Sequence, residues 1–200
     1  AWRAEAAKRA RGCHGHFRGP AHIRRAVSRG LGQLGAVQAA FKEWAVVVDA
    51  LGRGEQAVIL RKGGLHEGRG GFRPENREFL LFPTRFHQQR DAVVPAAQAR
   101  YDELARDFPP EDRVRIEFFA GVAAVRRVAS LAAALALRGR HVWRDEVIAE
   151  RFAWGREETV WALVVRVFRL PAAVELPLRP EHGGCRSWIT LADDVPTAGA

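Results

Sequence analysis

The chain contains no methionine, one tyrosine and two cysteines among 200 residues. Asparagine occurs only as Asn76, and lysine only as Lys8, Lys42 and Lys62. The cysteines, Cys13 and Cys185, lie near opposite ends of the chain and form no disulfide framework. The reducing cytoplasm is therefore the expected compartment. No apolar run reaches the roughly 18 residues that a membrane helix needs. The nearest, residues 120–137, is interrupted by Arg126, Arg127 and Ser130. The N-terminal stretch is basic but has no apolar segment of the signal-peptide kind. The missing initiator methionine is what a fragment would show, or a start placed upstream of the natural one.

What is present is an ordinary globular composition, 48% hydrophobic, in a chain long enough to bury a core without disulfides or metals. The net charge of +9 is unevenly spread. Residues 1–36 carry eight basic side chains against Glu5 alone, so the remaining residues hold only +2. Arginine, alanine, glycine and proline abound where lysine and asparagine are scarce. That is the mark of a GC-rich coding sequence, and it weakens any functional argument from arginine number. Residues 1–36 show no apolar period and many glycines, and are expected to be a disordered basic extension. Residues 37–192 are expected to form one α+β domain, followed by a tail over 193–200.

Within that domain Phe41, Trp44, Ala45, Val48 and Leu51 fall on one face of a helix stopped by Gly52 and Gly54. A strand through Val46-Val47-Val48 turning at Gly52-Arg53-Gly54 is the alternative. Residues 56–62 and 78–82 read as buried strands, the second ended by Pro83-Thr84. Residues 95–108 have helical spacing. Residues 114–119 alternate as a half-exposed strand, with a companion over 122–128. Ser130 caps a helix to Leu137, and a second helix runs over 145–154. Residues 159–170 form the strongest strand, expected to be central, and 188–191 the last one. This order predicts an α+β fold: a mixed or largely antiparallel sheet, curled towards a partial barrel, with flanking helices.

Four motifs carry candidate chemistry. Arg61-Lys62-Gly63-Gly64-Leu65-His66-Glu67 sets two cations and two glycines at a strand end, where they can meet a phosphate. It lacks Walker and GxGxxG spacing, so an exposed basic turn is the plainer reading. Thr84, His87 and Gln88 follow a strand end. With His66 and Glu78 they form a candidate metal or acid–base set, against a loop-bracing role for His87. Trp143, in His141-Val142-Trp143, is either a base-stacking platform or a staple holding a helix on the core. Gly183, Gly184, Cys185, Ser187 and Trp188 form the last cluster. A small buried thiol beside a glycine turn accounts for Cys185 better than a nucleophile does. No GxSxG, HExxH or CxxC pattern occurs.

Several of these residues also carry a resemblance. Phe41-Lys42-Glu43-Trp44-Ala45, Leu60-Arg61-Lys62-Gly63-Gly64 and Glu78-Phe79-Leu80-Leu81-Phe82-Pro83-Thr84 with His87-Gln88 resemble the family catalogued as domain of unknown function 1802. So do His141-Val142-Trp143, Arg151-Phe152, Arg166-Val167-Phe168-Arg169-Leu170-Pro171 and Gly183-Gly184-Cys185-Arg186-Ser187-Trp188. The resemblance spans about residues 38–192. It implies the domain boundary and supplies no activity, ligand or cofactor.

Three functions are then open, in this order. The first is a nucleic-acid or nucleotide-binding module. Arg61, Lys62 and Arg166 would face phosphates of RNA or DNA, and Trp143 or Trp188 would stack a base. By analogy, a curled sheet of this kind is similar to the small barrels of the pseudouridine-synthase-associated RNA-binding type. The second is a hydrolase or phosphodiesterase in which His66, Glu78 and His87 hold a divalent metal. The third is an interaction subunit without an active site.

Overall fold

The computed structural model describes residues 36–62, 76–85, 89–155, 157–184 and 186–200, all within one compact unit spanning Gln33–Ala200. Among them are six strands and four α-helices. In chain order these are β1 Ala36–Trp44, α1 Ala45–Gly52, β2 Val58–Arg61, β3 Glu78–Thr84, α2 Pro95–Arg106, β4 Arg113–Val128, α3 Leu131–Leu135, α4 Asp145–Ala153, β5 Val160–Pro177 and β6 Trp188–Pro196. The strands form a single sheet in the order β2-β5-β4-β3-β1-β6. β1 and β3 run parallel; every other pair is antiparallel. The expected α+β class with a mixed sheet holds. The ladder stays open between β2 and β6, so the sheet does not close into a barrel.

The first element departs most from expectation. Residues 36–44 are a strand, and the helix begins only at Ala45. β1 lies between two partners, with Ala40 opposite Leu80 on one side and Ile189 on the other. Phe41 is fully buried against Phe79 and Trp188, with ring centroids 5.5 and 4.8 Å away. Sheet pairing on both sides overrides the helical spacing of its apolar residues. The valines at 46–48 are helical rather than strand. The helical spacing thus holds for Ala45, Val48 and Leu51, and α1 is buried on nearly all sides, with Asp49 its one charged residue.

The other differences are of extent. β3 continues through Pro83 and Thr84. Its register with β4 covers Glu78 to Leu80, whereas that with β1 runs to Thr84, so Pro83 falls where a donor on the β4 side is no longer needed. The two strands expected over 114–128 are one, β4, bent by irregularities at 116/118 and 122/124. β5 likewise runs on to Pro177. β6 extends through Asp193 to Pro196 with Val195 buried, so the boundary expected at 193 cuts a strand.

The two faces of the sheet are filled differently. One packs Phe41, Phe79, Leu81, Phe118 and Leu163 against the helices. The other buries Ala40, Leu80, Phe82, Ile116, Leu170 and Ile189, all from strands. A face covered without any helix requires the sheet to curl over it.

Gly52 closes α1 where that helix meets β4. A Cβ there would stand 2.2 Å from the Phe118 ring, and Phe118 is itself core. Gly52→Ala is expected to cost about 1–3 kcal/mol through overpacking, read as a lower urea midpoint at unchanged m-value.

Candidate functional site

β1 ends on Lys42-Glu43, whose side chains leave the strand on opposite faces. Glu43 enters the interior, where it is 3% exposed. Its Oε1 accepts from the Trp44 N–H at 2.9 Å, and its Oε2 lies 3.0 Å from Nη2 of Arg61. Arg61 is the last residue of β2, four places along the ladder from β1. It also donates to the Lys42 carbonyl at 2.7 Å and lies over the Phe41 ring at 4.6 Å. Arg151 of α4 joins them, donating to the Leu60 carbonyl at 3.3 Å and lying over Trp143 at 4.0 Å. Burial pushes Arg151 down to about 10; Glu43 opposes this and Arg61 adds to it.

This network answers several sequence expectations. Arg61 was expected to face a phosphate; it turns inward because a buried carboxylate needs a counterion. Lys62 donates to the carbonyls of Phe152 and Glu157, the first at 2.7 Å, and so closes the C-terminal end of α4. Trp143 is 1% exposed, with Trp44 edge-on at 4.7 Å and Arg151 over its face. It is a core staple and offers no surface for a base. Trp188 is likewise packed on Phe41 and Phe79.

Arg166 is exposed on β5 opposite Gly121, and Glu78 of β3 lies opposite the same glycine. Both belong to a row about 20 Å along β3 from Thr84. Gly63, Gly64, His66, His87, Gln88 and Cys185 lie outside the described residues, and with them two of the three candidate metal ligands. Among the described residues no three His, Cys, Asp or Glu side chains are grouped to hold a metal.

Lys42 leaves β1 on the other face. Its ammonium donates to the carbonyls of His182, Gly183 and Gly184 at 2.8, 3.1 and 2.7 Å, and its own N–H donates to the Ser187 carbonyl at 2.8 Å. The glycines therefore present carbonyls to a lysine rather than N–H groups to an anion. Gly184, at φ +73°, takes a backbone conformation that side chains disfavour. The strap so held forms one wall of a cleft of about 620 Å³ at the carboxyl ends of β1 and β3. Thr84, Gly183 and Gly184 all line it. Among the described residues four cations line it, Lys42, Arg85, Arg113 and Arg179, against Glu111 alone. Arg85 lies over Phe108 at 4.6 Å. Arg85 and Arg113 are exposed and have no ion pair among the described residues. Sequence reading passed over Lys42, Arg85, Arg113 and Arg179. In a chain with 29 arginines, nothing but tertiary position distinguishes the three arginines among them.

His182, 5% exposed, also lines the cleft. Its Nδ1 accepts from the Arg179 N–H at 3.2 Å, which requires the neutral ring with its proton on Nε2. Burial, the main cause, with Arg179 and Lys42 beside it, holds its pKa below the ordinary 6.5, while Glu181 pulls the other way. His141, buried near Arg151 and Asp145, is depressed in the same direction, again mainly by burial.

Fold and cleft together define an α+β domain built on one open, curled sheet with a basic hollow at its strand ends. The chain belongs to the family described as domain of unknown function 1802, which matches residues 40–200. No curated protein matches it. Crystal structures of ASCH from Zymomonas mobilis are similar to it in part. A serine-to-alanine variant matches at 16% identity with a TM-score of 0.40, over 64% of this chain and 66% of that one. The present chain thus spans just under two thirds of that protein's length. A tyrosine-to-phenylalanine variant matches at 14% and 0.43, over 76% and 88%. No helix among the described residues is long and apolar enough to cross a membrane.

Two outcomes are expected. Glu43→Gln leaves Arg61 and Arg151 without their counterion and should cost about 3–5 kcal/mol in urea unfolding. A loss under 1 kcal/mol, the value of a surface pair, would show that water reaches these groups. Because His141 and His182 titrate below 6.5 when folded, the unfolded chain binds more protons under that pH. Stability should therefore fall as pH drops through and below 6.5, and a His141→Phe, His182→Phe chain should show a flatter profile of Tm against pH.

Proposed function

We propose that the cleft at the ends of β1 and β3 binds the phosphates of a nucleic acid or nucleotide. One observation carries this reading. Outside residues 1–36 the chain is nearly neutral, yet among the described residues four cations and a single carboxylate line this hollow. Such a concentration attracts a polyanion locally without making the whole surface adhesive. Arg85 and Arg113 supply charge that no carboxylate among the described residues pairs with. Lys42 adds a fixed charge and shapes the wall, since its ammonium already holds three carbonyls. Phe82, Phe108 and Leu178 give the hollow an apolar lining suited to the sugar or base beside a phosphate. The basic extension 1–36 would add attraction of its own, independent of the cleft.

The test uses the whole chain and compares variants, so that this attraction is common to all. Fluorescence anisotropy with short labelled RNA and DNA, repeated over a range of salt, yields the slope of log K against log salt. Arg113→Ala and Arg85→Ala are each expected to weaken binding and to reduce the slope by about one. Arg166→Ala, exposed on the same sheet but away from the cleft, should change neither. Equal effects from all three would reduce the binding to general attraction and sink the proposal.

A further inference from the structure

A second hollow, of about 350 Å³, adjoins the cleft across Phe108 and Pro83, which line both. Its character is different. Val48, Leu104 and Phe118 provide apolar walls. Each of its cations has a carboxylate partner: Arg100 grips Asp49 through two hydrogen bonds, at 3.0 and 2.8 Å, Arg169 meets Glu117 at 3.0 Å, Arg115 reaches Asp107 and Glu175, and Arg53 meets Glu55 at the edge. Arg169 also lies over the Phe118 ring at 4.6 Å, as Arg85 lies over Phe108 in the first compartment. A guanidinium supported on a ring presents a flat cationic face, which is a stacking surface for a nucleobase.

One compartment thus carries unpaired positive charge, and its neighbour an apolar surface whose cations are held in ion pairs. A nucleic-acid strand alternates in the same way, a charged phosphate linked to a flat, neutral base. In a duplex the bases are stacked inside and cannot enter a side compartment; in a single strand they are splayed out and can. Extending the phosphate reading above, on which this rests, we infer that the two compartments together hold one single strand of at least two nucleotides. Phosphate lies by Arg85 and Arg113, and a neighbouring base sits in the second compartment against the Arg169–Phe118 pair.

Calorimetric titration of the full chain at about 0.15 M salt tests this. The probes are a nucleoside monophosphate, a single-stranded tetranucleotide, and a short duplex of the same composition, each as RNA and as DNA. Leu104→Trp fills the second compartment. Arg169→Ala removes the stacked guanidinium at a residue whose side chain is 64% exposed, and so keeps the test open if the first variant folds poorly. The tetranucleotide is expected to bind at least tenfold more tightly than the monophosphate and the duplex. Either variant should cut that advantage at least threefold while leaving monophosphate affinity unchanged. An advantage that survives in the folded variants, or a duplex that binds as well as the strand, overturns the inference. It then leaves the phosphate reading intact, provided that Arg113→Ala still weakens every probe. Insensitivity of all probes to Arg113→Ala instead overturns the phosphate reading and the inference with it. RNA and DNA binding alike would mean that base and phosphate suffice; binding of RNA alone would mean that the 2′-hydroxyl is read.

Discussion

The Glu43–Arg61 ion pair joins two strands that are not neighbours in the sheet. β2 sits at one edge of the ladder and β1 next to the other, with three strands between them. A flat sheet would hold these side chains well apart. Their contact at 3.0 Å records how far the sheet curls. It also explains how a buried carboxylate is tolerated, since Arg61 and the adjacent Arg151 supply more positive charge than Glu43 removes. Such a pair adds little net stability over apolar residues of the same volume, but breaking it by losing one member is costly. Its structural effect is to set the arrangement of β1, β2 and α4, because Arg61 and Arg151 also bind the carbonyls of Lys42 and Leu60.

The same stretch of β1 builds the cleft. One residue before Glu43, on the opposite face, Lys42 gathers three carbonyls of the 182–184 strap. Interior ion pair and exterior wall are thus coupled through a single peptide unit. The cleft gains its charge from Arg85 after β3, Arg113 at the start of β4 and Arg179 after β5. Each lies at a strand end, where the chain leaves the packed sheet and a charged side chain can stay hydrated. The neighbouring hollow, formed by α1, α2 and the bulged parts of β4 and β5, has its cations engaged in ion pairs. That contrast between adjacent compartments gives the surface its polarity along one direction.

Sequence signals were readable where the cause is local. Pro95 opens α2, Ser130 Oγ accepts from the Ala133 N–H to cap α3, and Gly139 and Gly155 adopt positive φ beyond their helices. The β-branched run at 160–170 is a strand packed between β2 and β4. The readings that failed concern side chains whose partner lies far along the chain. Arg61 looks like any exposed cation until Glu43 is found beneath it. For Trp143 it was the core-staple reading that held, with Trp44 and Arg151 packed over it. Arg85, Arg113 and Arg179 resemble the other arginines, and no spacing between them hints at convergence.

By itself the sequence determined the family, the α+β class, the existence of most strands and helices, and the uneven spread of charge. The family follows from the resemblance of its motifs; the rest follow from composition, from periods of two or 3.6 residues, or from caps acting within a few positions. Only the tertiary structure decided that residues 36–44 are a strand, that Lys42 and Glu43 serve opposite faces, and which cations meet. The reason is the strand's period of two: an offset of one residue exchanges inside for outside. What sets that offset for β1 is its pairing with β3 and β6, about 40 and 150 residues away in sequence, which no local pattern encodes.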